Sequence, residues 1–180
     1  MTEELSREII FESIHNIRDL GGFGTGDGHT VARGRLFRSG DLRQMTPDDL
    51  NKLRERIRLN SVIDLRSDFE IERQGIGRLA GAGFNYRNVS FIADGGNRAA
   101  NEQRYRECTS MGEFYLQLVR QKQFGGRIVE ALDIISRREN HPLIFHCAVG
   151  KDRTGILAAI LLSVLGVADK DIIDDYCLSA

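Results

Sequence analysis

The spacing of apolar positions changes along the chain, and each change marks an element. Leu59–Leu65 (LNSVIDL) is an apolar run of strand length and Phe84–Phe91 alternates, so both read as strands. Leu50, Leu53 and Ile57 instead recur at helical spacing. That helix has a start signal: Thr46 supplies an N-cap hydroxyl, Pro47 suits the first turn, and Asp48 and Asp49 suit its positive end. Ser67 with Glu70 is a capping box opening a short helix, and Ser110 with Glu113 is a second one ahead of FYLQLV. Gly125 or Gly126 should separate that helix from RIVEALDIISRR, which turns Ile128, Leu132 and Ile135 inward.

After Pro142, the run Leu143–His146 is apolar enough for a central parallel strand, which is covered on both faces. Ile156–Ala168 reads as a buried helix, because it is shorter than the roughly 20 residues that a membrane span needs. Residues 15–40 are rich in glycine, which predicts turns with small strands around Thr30–Ala32 and Leu36–Ser39. Strand and helix alternate, so the expected fold class is α/β. A central, mostly parallel sheet of about four or five strands is flanked by helices in one domain over 1–180.

Composition narrows the function. The 180 residues are 41% hydrophobic and 28% charged, with 25 basic against 26 acidic side chains, so no bulk charge draws the protein to nucleic acid. Cys108, Cys147 and Cys177 are an odd number at unrelated spacings, which suits neither a disulfide framework nor paired zinc ligands. A reducing, cytoplasmic setting without metal or cofactor is the expectation. The start, MTEELSREII, lacks the apolar core of a secretory signal, although export routes without such a mark stay open.

The chemistry concentrates in His146–Gly155, HCAVGKDRTG, between the last apolar strand and the apolar helix that should begin near Thr154. A strand-to-helix turn wraps the backbone N–H groups of Ala148, Val149, Gly150, Lys151, Asp152 and Arg153 around an anion, and the helix adds about half a positive charge. A phosphate fits there. The Arg153 guanidinium can grip two of its oxygens and hold them more tightly as charge spreads in the transition state. The same field favours the Cys147 sulfur as an anion, the form that attacks phosphorus to give a phosphocysteine which water then hydrolyses. A nucleoside triphosphate loop is excluded, since Phe145 and Asp152 stand where it needs glycine and a hydroxyl.

HCAVGKDRTG resembles the signature loop of the cysteine-dependent protein tyrosine phosphatases. Asn16–Gly22 (NIRDLGG), Phe37–Leu42 (FRSGDL), Val62–Ser67 (VIDLRS) with Glu70, and Asp171–Ser179 (DIIDDYCLS) resemble its atypical bacterial branch, which includes a secreted mycobacterial tyrosine and lipid phosphatase. The resemblance implies Cys147 as nucleophile, Arg153 as phosphate grip, Lys151 and Asp152 as the loop's lysine and aspartate, and no metal. It also implies a phosphorylated protein or peptide as substrate: phosphotyrosine first, with phosphoserine, phosphothreonine and phosphoinositides as extensions. Family members continue past the DYCLS-like segment with further helices, whereas this chain stops at Ala180.

The better-known tyrosine phosphatases take their acid from a Trp-Pro-Asp loop, and this chain has no tryptophan. Asp152 is therefore the first candidate acid, with Asp94, on the IADGGN loop, as the alternative. Asp64 should lie buried near the sheet's carboxyl edge, paired with Arg66 or Arg153. His146 should be buried beside Cys147 with a ring N–H on backbone, and Thr154 should either donate to the sulfur or cap the helix. Arg18 and Asp19 are expected to pair beneath the site. A non-catalytic phosphate-binding module remains the alternative from another class, although it would need no nucleophile. Nothing in the sequence sets the oligomeric state.

Overall fold

The computed structural model describes residues 7–91, 103 and 106–179. Five strands form one sheet in the order β1-β2-β5-β3-β4. They are β1 (Arg18–Asp19), β2 (Leu36–Ser39), β3 (Ser61–Asp64), β4 (Asn85–Asn88) and β5 (Leu143–His146). Only β1 runs antiparallel, at the edge beside β2, and the other neighbours are parallel. The α/β expectation therefore holds, with β3 and β5 as the apolar interior strands.

Alternation along these strands divides the core between the two faces. Ile63, Leu143 and Phe145 point into one cluster, while Phe37, Val62 and Ile144 point into the other. The five on β3 and β5 are fully buried, and such burial is worth about 1.5–3 kcal/mol per side chain. The first face is covered by α3 (Met111–Arg120), α4 (Lys122–Ser136) and α5 (Asp152–Val164). The second is covered by α1 (Pro47–Asn51) and the segments around Leu59 and Leu79. α2 (Asp68–Gln74) follows β3, and α6 (Asp169–Cys177) follows α5.

The capping signals are realised. Thr46 and Ser67 each accept from the backbone N–H three residues on, and both boxes are reciprocal. Leu53 is buried, whereas Leu50 and Ile57 are half-buried against the same cluster. Asp49 does more than favour a helix start: its buried carboxylate accepts from the N–H of Glu12 at 2.9 Å and of Ser13 at 3.0 Å, pinning the segment ahead of β1.

Several local expectations are corrected. The break between α3 and α4 falls at Gln121, and Gly125 and Gly126 lie inside α4, where burial of Phe124 and Ile128 outweighs their weak helix preference. Thr30 makes a single bridge to Gly24 rather than a strand. α5 starts at Asp152, so it begins inside the signature loop itself. Arg18 does not pair with Asp19. Asp19 accepts from the N–H of Gly21 and Gly34, while Arg18 turns to Asp175 on α6. All three cysteines are free thiols, and no described helix is long and apolar enough to cross a membrane.

Candidate active site

β5 ends at His146, and the next residues form the turn into α5 at the carboxyl edge of the sheet, between β2 and β3. Cys147 is only 2% exposed, and its sulfur accepts the Gly150 N–H at 3.3 Å. Gly150 has φ 79°, and a Cβ there would lie 2.6 Å from the Ser39 carbonyl and the Gly40 nitrogen. Only glycine lets the loop turn this tightly against the end of β2.

The loop carbonyls explain where the loop amides point. A trans peptide places its C=O and N–H on opposite sides, so a carbonyl held outward turns the following N–H inward. The Cys147 carbonyl meets His146 Nδ1 at 3.2 Å, and the Ala148 carbonyl meets the Asp41 N–H at 3.1 Å. The Val149 carbonyl meets Asn16 Nδ2 at 3.2 Å, and the Gly150 carbonyl meets Arg38 Nη2 at 2.9 Å. The N–H groups of Ala148, Val149, Gly150 and Lys151 thereby turn away from these partners, and that of Gly150 meets the Cys147 sulfur. The first N–H groups of α5, which have no helical partner, join them.

Arg153 arrives on the first turn of α5, and Glu70 on α2 clamps it: Nη1 donates to Oε2 at 2.6 Å and Nη2 to Oε1 at 3.0 Å. Glu70 also accepts the Ser67 N–H at 2.8 Å, so the capping box orients the carboxylate that orients the arginine. A guanidinium has five donors; the clamp takes one edge and leaves the Nε edge for an oxyanion. Burial works against the charge on Arg153, but the Glu70 hydrogen bonds and the attraction of the Cys147 sulfur outweigh it and raise its pKa.

Beneath the loop, Asp175 of α6 gathers three arginines. Arg38 donates to it at 2.6 Å, Arg18 at 3.0 Å and Arg7 at 2.9 Å. Burial, with the neighbouring Arg18 charge, lowers the Arg38 pKa to about 10, and Asp175 opposes that, so Arg38 stays a cation at neutral pH. Neither Arg38 nor Asp175 stood out in the sequence, although both lie in segments that carry the resemblance. Glu70 was legible as a cap and within the resemblance, but not as the partner of Arg153.

Asp64 is fully buried and pairs with Arg66, as one of the two expected partners, and also accepts from Tyr86 at 3.0 Å. His146 Nδ1 bonds backbone as expected. Burial lowers its pKa, against the pull of Asp64, and its Nε2 lies 3.7 Å from that carboxylate without a hydrogen bond. The Thr154 hydroxyl, buried, makes neither of the expected contacts. Asp152 sits at the N-terminus of α5 and accepts from the Tyr115 hydroxyl, which reaches across from α3 and meets Tyr176 at 3.2 Å. Lys151 caps nothing with its side chain. Asp94 lies outside the described residues.

A buried sulfur that accepts a loop N–H, with a clamped guanidinium at the helix mouth, suits an oxyanion-handling loop, and residues 9–180 match the tyrosine phosphatase family. The chain belongs to that family. It is 35% identical over 175 residues to a putative tyrosine-protein phosphatase of Cupriavidus necator, covering 94% of this chain and 62% of that one. With the triple specificity protein phosphatase PtpB of Mycobacterium tuberculosis it shares 27% over 188 residues, 91% of this chain and 66% of that one. The chain thus spans less than two thirds of either relative. Among solved structures, the core catalytic domain of the PP-IP phosphatase SIW14 from S. cerevisiae superposes with a TM-score of 0.53 at 20% identity, over 89% of this chain and 75% of that one. That likeness is one of fold.

Proposed function

We propose that the protein is a metal-independent phosphomonoesterase that works through a cysteinyl-phosphate, with phosphotyrosine on a protein or peptide as its leading substrate. The observation that carries this reading is the Cys147 sulfur held by the Gly150 N–H inside a turn whose carbonyls are all tied outward. Family membership supports it.

In the first step the Cys147 sulfur forms a bond to phosphorus, and the bond from phosphorus to the substrate oxygen breaks. Asp152 gives its proton to that oxygen, which leaves as the alcohol. In the second step Asp152, now a carboxylate, takes a proton from water as the water oxygen bonds phosphorus, and the sulfur departs as thiolate. The inward amides and the Nε edge of Arg153 hold the equatorial oxygens in both steps. Tyr115 restrains the Asp152 carboxyl from the side of α3. Thr154, whose buried hydroxyl has no hydrogen-bond partner among the described residues, is available to donate to the departing sulfur. Three free thiols fit a reducing cytoplasm.

A second reading, a phosphoinositide phosphatase, is favoured by Lys151, a cation inside the loop that could meet a second ring phosphate. Turnover of an aryl phosphate in chelator tests the mechanism. It should survive chelation and vanish in Cys147→Ser; activity lost to chelator, or retained in the serine variant, would sink it. Asp152→Asn should lose about 10²-fold or more on substrates with basic leaving groups and far less on good ones. Side-by-side release of phosphate from a phosphotyrosine peptide and from a phosphoinositide decides between the two substrates.

A further inference from the structure

One of the four outward carbonyls is held by a residue in an unusual backbone state. Asn16 has φ 61°, one of only two non-glycine residues with positive φ among those described. Backbone strain of this kind is retained where the surroundings over-determine it. Here they do. Asp49 pins Glu12 and Ser13, and the His15 carbonyl accepts the Gly40 N–H at 2.9 Å, so the chain on the N-terminal side of Asn16 is tied to two separate elements. On its C-terminal side β1 begins at Arg18.

The side chain is locked as firmly. Arg18, held by Asp175 and Ser179, donates from Nη1 to Asn16 Oδ1 at 3.1 Å. A guanidinium only donates and a carbonyl only accepts, so the amide has one orientation that satisfies both neighbours: Oδ1 to Arg18 and Nδ2 to the Val149 carbonyl. The peptide fixed in this way is the one whose N–H belongs to Gly150, the donor to the Cys147 sulfur.

We infer that Asn16 is a positioning residue for the nucleophile: through the Val149 carbonyl it sets the direction of the Gly150 N–H that bonds the sulfur. The contact reaches across 133 positions of sequence and serves no secondary structure. Its left-handed backbone is the means by which a short side chain on a strand entrance reaches the loop. The other three loop carbonyls are held by the His146 ring, the Asp41 N–H and Arg38, whereas this one meets the Asn16 amide. The inference rests on the proposed cysteine mechanism.

Two substitutions separate positioning from folding. Asn16→Gly is at ease at positive φ but has no side chain, and Asn16→Asp keeps size and turn preference while facing the Val149 carbonyl with an oxygen that cannot donate. Both should lower kcat on an aryl phosphate by on the order of tenfold, the equivalent of one hydrogen bond, with KM changed much less. Alkylation of Cys147 by iodoacetamide at neutral pH should slow in parallel, while Tm moves by no more than about 4 °C. Wild-type kcat and alkylation rate in Asn16→Gly would overturn the inference, as would losses that only track Tm. If Asn16→Asp fails to fold, the glycine variant still decides. Failure of the cysteine mechanism itself would show separately, as wild-type activity that survives Cys147→Ser.

Discussion

Glu70→Gln isolates the clamp on Arg153. The glutamine matches the glutamate in shape, yet it replaces one of two carboxylate oxygens with an amide nitrogen that faces a guanidinium and has nothing to accept with. The native pair is bidentate, at 2.6 and 3.0 Å, and its two side chains are 17% and 21% exposed. Hydrogen bonds to charged groups contribute about 1.5–3 kcal/mol each when buried, and partial solvent access scales that down, so a net loss of about 1.5–2.5 kcal/mol is expected. If that energy is spent on presenting the Nε edge to the phosphate, kcat/KM falls by roughly 10- to 70-fold. If Arg153 grips the phosphate in both ground and transition states, as proposed, KM should rise and kcat fall together. The assay is steady-state hydrolysis of an aryl phosphate by wild type, Glu70→Gln, Arg153→Lys and the double variant. With Arg153 replaced, the Glu70 substitution should cost almost nothing more, since its effect runs through the arginine. Wild-type kcat/KM in Glu70→Gln, or strict additivity in the double variant, would refute the clamp.

Two further outcomes follow from the geometry. Gly150→Ala puts a methyl 2.6 Å from the backbone of Ser39 and Gly40 at φ 79°, so urea unfolding should show a loss of at least about 1–2 kcal/mol from the backbone conformation alone, with activity abolished. An unchanged midpoint would mean that the loop does not press on β2. Asp175→Asn leaves Arg7, Arg18 and Arg38 without their shared carboxylate and should cost about 3–5 kcal/mol at neutral pH, read by the same unfolding method. Burial opposes ionisation of Asp175, but Arg18 and Arg38 outweigh it and hold its pKa below the ordinary 3.8. A depressed folded value stabilises above the unfolded one, so the gap between wild type and variant should close as pH falls below about 3.8. A gap that stays constant through that range would contradict the assignment.

Much of the fold was legible because it depends on local pattern. Period-two and helical runs, two capping boxes and one apolar central strand determine strand and helix through neighbours a few residues apart; β3, β5 and α2 appeared where the pattern put them, while α1 began at its cap but gave way after Asn51 to a π-helical turn over Lys52–Arg56. The errors came where burial overrode local preference, as at Gly125 and Gly126 inside α4. The placement of Cys147 and Arg153 was likewise readable, because they share one turn with the glycine that permits it. What holds that turn open was not. Glu70 and Arg153 are 83 positions apart, Arg38 and Gly150 are 112 apart, and Asn16 and Val149 are 133 apart. A hydrogen bond between such residues exists only after the parallel crossovers bring the ends of β2, β3 and β5 to one edge. Sequence alone determined which reactive groups the loop contains; tertiary structure decided which side chains hold its carbonyls and its arginine, since direction in space is a property of packed neighbours and not of chain order.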